Sequence, residues 1–329
     1  MPNTFQSSIP NKIQQYLSDQ LQSLKKSSNI NPGSQDLSSF IYQALTTTKY
    51  RRHSISLEYQ THIKNVIGFS IKNNRPIPLV WVFGCYKLWR LPESPYVDWA
   101  ELFFLIHKVN WLRPVLEVYK PGIWFDFFAD GIVVPLLNHI PESDMDTYQE
   151  SFKDLLTIFE KYIPKNLKFT LHTLEKLYSS KKDFQKEFKT NYDIVVQQDK
   201  TNPFILSDQQ KSVIKMNVKS DKELSEAKLH QSQLIFEAFV LSSKRRPYYR
   251  TPDKIFLDSF PIKNCLPIGT TRTSSVRFWV GKGVLEKHQD SFIETILSVN
   301  QVQNSRFSSC SVNLPDFDNP NYKSISILK

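Results

Sequence analysis

Three side chains in one stretch of the chain have the types and spacing to do chemistry: Lys87, Asp98 and Glu101. Lys87 follows an apolar run and opens a loop. A lysine there can hold a phosphate or, once desolvated, attack a carbonyl as an amine. Asp98 and Glu101 fall on one helical face, and Lys108 continues that stripe at helical spacing. A carboxylate against aromatic walls has a raised pKa and can act as general base or acid near neutral pH. The same residues also suit plainer roles, an internal ion-pair face for the stripe and a surface position for Lys87. The surroundings favour chemistry. Five of the six tryptophans (Trp81, Trp89, Trp99, Trp111 and Trp124) lie between Pro76 and Gly131, among many phenylalanines. Ionisable groups in so apolar a segment, with Arg90, Asp126 and Asp130 among them, must be paired, solvated in a cleft, or used. The segment reads as a pocket more than as a plain core.

A second cluster lies in the C-terminal third. Arg245, Arg246 and Arg250 surround Tyr248 and Tyr249; Gly269–Ser275 contains Arg272 among hydroxyl residues; Arg277 and Lys282 follow, the latter between Gly281 and Gly283. Hydroxyls, arginines and glycines are the groups from which anion cradles are built, although a strand hairpin with a charged outer face has the same composition. The order matches neither a P-loop nor a dinucleotide fingerprint. Seven histidines show no metal-ligand spacing, and His107, in an apolar helix, reads as a satisfied core histidine. Cys85, Cys265 and Cys310 are too few and too scattered for a disulfide framework or a zinc site. No metal or cofactor is expected.

These groups need elements to hold them. Helices are expected over 10–26, 35–48 and 54–73, and a buried strand over 76–83 ending at Gly84. A helix starting at Ser94-Pro95 should run to Trp111. Strands are expected over 114–119, 123–128 and 132–136, a helix over 144–162, and a strand over 167–171. Residues 180–240 read as helical and charged, 253–285 as strand-rich, and the tail from Gln301 has little periodicity. Strands alternating with long helices imply an α/β fold: a mixed central sheet flanked by helices, Rossmann-like without the fingerprint. N-terminal helices at 1–74 should pack on an α/β catalytic domain at 75–329, with a helical insertion near 180–240.

At 329 residues the chain can bury a large core. No apolar run approaches the ~20 residues that span a bilayer, and no secretory signal is evident, so a cytoplasmic protein without membrane partners is expected. The net charge of +10 raises a nucleic-acid reading, but 31 of the 42 basic residues are lysines scattered along the chain, which suits a solvated basic surface and anionic small substrates better.

From Pro76 to about Tyr178 the sequence resembles the pyoverdine/dityrosine biosynthesis family, the isonitrile (isocyanide) synthases. The resemblance rests on PLVWVFGCYK ending at Lys87, VDWAE with Asp98 and Glu101, EVYKPG ending at Gly122, ADG with Asp130 and Gly131, and the helix pattern Tyr148, Phe152, Leu155, Leu156. It implies a metal-free α/β enzyme of natural-product biosynthesis that joins an amino-acid α-amine to a carbon from ribulose 5-phosphate. Lys87, Asp98 and Glu101 would then be catalytic. Arg90, Asp130, Arg245, Arg246, Arg250, Arg272, Arg277 and Lys282 would hold substrate and phosphate. The loop after Gly84 departs from the proline- and serine-rich form of the family, and so does the C-terminal block. The alternative is a basic nucleic-acid-binding or effector-type protein without this catalysis.

Overall fold

The computed structural model describes residues 8–27, 30, 33–84, 95–129, 133–173, 178–218, 224–242, 252–259, 264–289 and 291–329. Three helices come first: α1 (Ser8–Ser23), α2 (Leu37–Thr46) and α3 (Leu57–Lys72). Asp36 and Ser56 cap α2 and α3 by accepting from backbone N–H groups of the first turn. The central sheet is built from β1 (Ile77–Phe83), β2 (Ile123–Ala129), β3 (Leu167–Thr173), β4 (Ile255–Asp258) and β5 (Leu266–Pro267), in the order β3-β2-β1-β4-β5. Every pairing in it is parallel. The α/β class is therefore as the sequence indicates, but the central sheet is not mixed. The crossovers from β1 to β2, from β2 to β3 and from β3 to β4 each carry helix, and such a crossover returns the chain in the same direction.

The crossovers are α4 (Trp99–Val118) between β1 and β2, then α5 (Val133–Asn138) and α6 (Glu142–Phe159) between β2 and β3. Three helices, α7 (Lys181–Thr201), α8 (Asp208–Asn217) and α9 (Glu226–Ser242), lie between β3 and β4. A second sheet contains the antiparallel strand pairs: β6 (Lys282–His288), β7 (Ser291–Leu297), β8 (Phe307–Ser311) and β9 (Ser324–Leu328), in the order β7-β6-β9-β8, with β6 and β9 parallel. A short helix, α10 (Val299–Gln303), links β7 to β8.

Several elements differ from the sequence expectation. The helix expected from Ser94-Pro95 begins at Trp99, because Asp98 and Glu101 form a capping box there. It also runs to Val118, through most of 114–119, where a strand was expected. Pro114 removes the N–H that would bond the carbonyl of Asn110, and the Tyr50 hydroxyl donates to that carbonyl instead, at 3.2 Å. The strand expected over 132–136 is the helix α5, since β2 is already paired on both edges by β1 and β3. Among the described residues of 253–285, strand is limited to β4, β5 and the start of β6. The aperiodic tail supplies β8 and β9, whose pairing to each other and to β6 is long-range.

The core explains the aromatic stretch. Phe83, at the end of β1, stacks on Phe152 at 4.5 Å and on Tyr148 at 5.5 Å, and Phe278 lies 5.7 Å away. Such pairs add about 0.5–1.5 kcal/mol each beyond their buried area. Helix α4 is buried on nearly every side because it lies between the central sheet on one side and α1, α2 and the second sheet on the other.

Candidate active site

In an open parallel sheet, ligands bind beyond the carboxyl ends of the strands where the strand order reverses. Here the chain leaves β1 toward β2 and β3, then returns to lay β4 on the other edge of β1, so the reversal lies between β1 and β4. At that point β1 ends in Phe83, followed by Gly84, and β4 ends in Asp258. The Trp279 indole lies so close over Gly84 that any side chain there would overlap the ring. Arg277 reaches the Asp258 carboxylate at 3.4 Å and stacks on Trp279 at 5.5 Å. The other oxygen of Asp258 accepts from the Ser259 N–H at 2.6 Å.

The N-terminus of α4 borders the same crevice. The Asp98 side chain accepts from the Ala100 N–H at 2.7 Å. Glu101 Oε2 accepts from the Asp98 N–H at 2.8 Å, and Glu101 Oε1 accepts from the Tyr148 hydroxyl at 2.7 Å. Both carboxylates are buried. Phe83 touches Tyr148 on one side and Trp279 on the other, which joins the carboxylates and the Arg277–Asp258 pair around the end of β1. The second sheet fixes this helix end. Trp99 Nε1 donates to the Ser324 carbonyl at 2.7 Å, and the Tyr322 hydroxyl donates to the Asp98 carbonyl at 3.0 Å. Gly283 packs so tightly on the Trp99–Ala100 backbone that a Cβ would overlap it.

The expected stripe does not hold together. Lys108 lies two turns from Glu101, about 10 Å along the axis, fully buried among Trp81, Phe104 and Trp111. Its ammonium nitrogen donates to the Gly269 carbonyl. Burial, and secondarily Arg52, pushes its pKa well below the ordinary lysine value. The expected anion cradle at 269–275 is also spent internally. Thr270 Oγ1 donates to the Ser274 carbonyl, Thr271 Oγ1 accepts from the Ser274 N–H, and Ser274 Oγ donates to the Ile296 carbonyl. The three described cations of the second cluster part company. Arg277 is at the crevice, Arg272 lines a different cavity, and Lys282 sits over the Phe307 ring at 5.4 Å in the second sheet. Lys87, Arg90, Asp130, Arg245, Arg246 and Arg250 lie outside the described residues. Among the described residues no group of three or more His, Cys, Asp or Glu side chains is arranged to hold a metal ion.

Three partners escaped the sequence reading. Tyr148 and Asp258 become functional candidates only once α6 and β4 are packed beside β1. The third is a network across β2 and β3. Trp124 Nε1 donates to Thr170 Oγ1 at 2.7 Å, Thr170 donates to Asp126 Oδ1, and His172 Nδ1 lies 2.5 Å from the same oxygen. Asp126 is opposite Thr170 in the parallel register, and His172 is two residues further along β3. The signal in the sequence is the T-x-H of 170–172 facing the D of 126, readable only once β2 and β3 are known to pair. Trp124, Thr170 and His172 line a cavity of about 450 Å³ on this sheet face.

The fold defines an α/β protein with a parallel central sheet whose strand order reverses between β1 and β4. Among solved structures the chain is similar to the PvcA protein of Pseudomonas aeruginosa, with a TM-score of 0.58 and 14% sequence identity over 89% of this chain and 100% of that one. At this identity the likeness is one of fold. No family model matches the chain, and no curated protein matches it by sequence. Among the described residues no helix is long and apolar enough to cross a membrane.

Proposed function

We propose that the chain is a biosynthetic enzyme of the isonitrile-synthase type, acting on an amino-acid α-amine with ribulose 5-phosphate as carbon donor. The observation that carries this reading is the buried Glu101–Tyr148 pair beside the β1/β4 switch point, on a fold that spans the whole of PvcA, a member of the pyoverdine/isonitrile synthase family. Condensing an amine with a sugar carbonyl requires proton transfers at nitrogen and oxygen. A carboxylate held by a phenol is suited to move those protons at a fixed position. In this reading Glu101 takes and returns the proton, Tyr148 orients it, and Asp98 fixes the helix end that carries it. Arg277, held by Asp258, faces the crevice as the cation for the sugar phosphate. Lys87, Arg90 and Asp130 follow β1 and β2 in sequence and complete the substrate contacts, with Arg245, Arg246 and Arg250.

The test is incubation of the protein with ribulose 5-phosphate and a panel of amino acids, with mass spectrometry for an isonitrile product. Turnover is expected, reduced at least a hundredfold in Glu101→Gln, with weakened sugar-phosphate binding in Arg277→Ala. No product from any amino acid, together with ribulose 5-phosphate binding that is the same in both variants, overturns the proposal. Association with RNA or DNA that falls steeply with salt would instead support the nucleic-acid reading.

A further inference from the structure

A large cavity lies away from the crevice, on the side of α4 that faces α1, α2 and the second sheet. Its volume is about 1060 Å³, large enough for a metabolite of drug size. Helix α4 contributes Phe103, His107, Asn110 and Arg113; the segment after α2 contributes Lys49 and Tyr50; the 269–275 loop contributes Arg272; α1 and β7 contribute Tyr16 and Glu294. The opposite side of α4, with Phe104 and Lys108, packs on Trp81 of β1. The cavity and the crevice are thus separated by the thickness of the helix and its packing.

Two features of the wall point to a ligand. The first is charge. Among the described residues, Lys49, Arg113 and Arg272 line the cavity against the carboxylate of Glu294. Burial raises the pKa of Glu294, and Arg272 lowers it in part. The Arg272 side chain is exposed and acts on Glu294 electrostatically, while its own carbonyl is held in place by Arg52. The second feature is aromatic surface combined with buried polar atoms. Tyr16, Phe40, Tyr50, Phe103 and Phe292 present rings to the cavity. His107 is buried in the wall, 5.1 Å from the Tyr50 ring, and its Nε2 has no hydrogen-bond partner; Glu294 Oε1 is also buried without one. The core role expected of His107 is therefore met in burial but not in hydrogen bonding. A cavity lined by rings and dominated by cations favours a flat apolar body carrying a negative group.

We propose that this cavity binds a small planar organic anion, an aromatic carboxylate or its equivalent, with Arg272 holding the anionic group and the surrounding rings holding the body. The loop 269–275, in which the Thr270 and Thr271 hydroxyls close on Ser274, serves to present Arg272 at the cavity mouth. The site is independent of the reaction proposed for the crevice, because binding is measured here without turnover.

The test is isothermal titration of the full-length protein with 1-naphthoate, 1-naphthalenemethanol and inorganic phosphate. Saturable one-to-one binding of naphthoate is expected, at least about tenfold tighter than the neutral alcohol, since a charge-assisted contact is lost in the alcohol. Phosphate alone should not displace it. Arg272→Ala, on an exposed side chain, should weaken naphthoate about tenfold without moving the thermal midpoint. Ala44→Trp, which fills the cavity from α2, should abolish binding. Equal affinity for acid and alcohol overturns the proposal, as does displacement by phosphate at matching concentration. So does naphthoate binding that Arg272→Ala leaves unchanged, or no saturable binding at all.

Discussion

Replacing Lys108 by methionine should change not only how stable the protein is but how its stability depends on pH. Lys108 is fully buried, with its nitrogen 4.8 Å from the Trp81 ring and 4.5 Å from the Phe104 ring, and it donates to the Gly269 carbonyl. Burial favours the neutral amine, so its folded pKa lies well below the unfolded value of 10.5. Between those two values the unfolded chain binds the proton and the folded chain does not. Folding stability therefore rises with pH across that window, by up to about 1.4 kcal/mol per pH unit from this one group. Methionine fills similar volume but leaves the Gly269 carbonyl without its donor, a cost of about 1–3 kcal/mol. The variant should be less stable than wild type near pH 10.5 by about that amount. The difference should shrink by about 1.4 kcal/mol for each unit of falling pH and reverse roughly one to two units lower. Urea unfolding at pH 7, 8, 9 and 10 measures it, since all other lysines are common to both proteins. Parallel stability–pH curves for wild type and Lys108→Met would refute the reasoning.

Other outcomes follow from the same contacts. Glu101→Ala leaves the Asp98 N–H and the Tyr148 hydroxyl without their acceptor and should cost roughly 2–5 kcal/mol. Tyr148→Phe should then cost less in that background than in wild type by about 1–2 kcal/mol, a coupling read from a denaturation double-mutant cycle. Gly283→Ala should destabilise by at least about 1–3 kcal/mol because the new methyl meets the Trp99–Ala100 backbone. By contrast Gly68→Ala, in α3 with open space around it, should stabilise by about 0.5–1 kcal/mol; thermal melts of the pair separate the two. Glu294 has a folded pKa raised above 4.5 by burial, so wild-type stability falls as pH rises from 4.5 through that folded value. Glu294→Gln should lack this loss and gain on wild type over the same window, with no gain below pH 4.

Much of the site was legible in the chain because the signals are local. An apolar run ending at Gly84 and the D-x-x-E of Asp98 and Glu101 are one-dimensional patterns. They placed β1 and the buried carboxylates, although the D-x-x-E also encoded a cap that starts the helix later than expected. Other signals misled. Pro114 looked like a helix end, yet the carbonyl it frees is satisfied by Tyr50, sixty residues away in sequence. Arg272, Arg277 and Lys282 looked like one cradle because they are close in sequence. A turn closed by Ser274, and the start of β6, send them to different places.

By itself the sequence determined the α/β class, the buried β1, the helical crossovers and a segment in which charge and aromatic rings are forced together. These follow from periodicity and burial, which act over a few residues at a time. Only the tertiary structure decided that the central sheet is parallel throughout, that its order reverses between β1 and β4, and that Tyr148, Asp258 and Arg277 join Glu101 around Phe83. It also decided that Lys108, two turns along the same helix, is buried against Trp81 and the Gly269 carbonyl and does not join them. Those outcomes depend on which strands pair and which faces meet, and the contacts responsible link residues tens to hundreds of positions apart, beyond the reach of any local pattern.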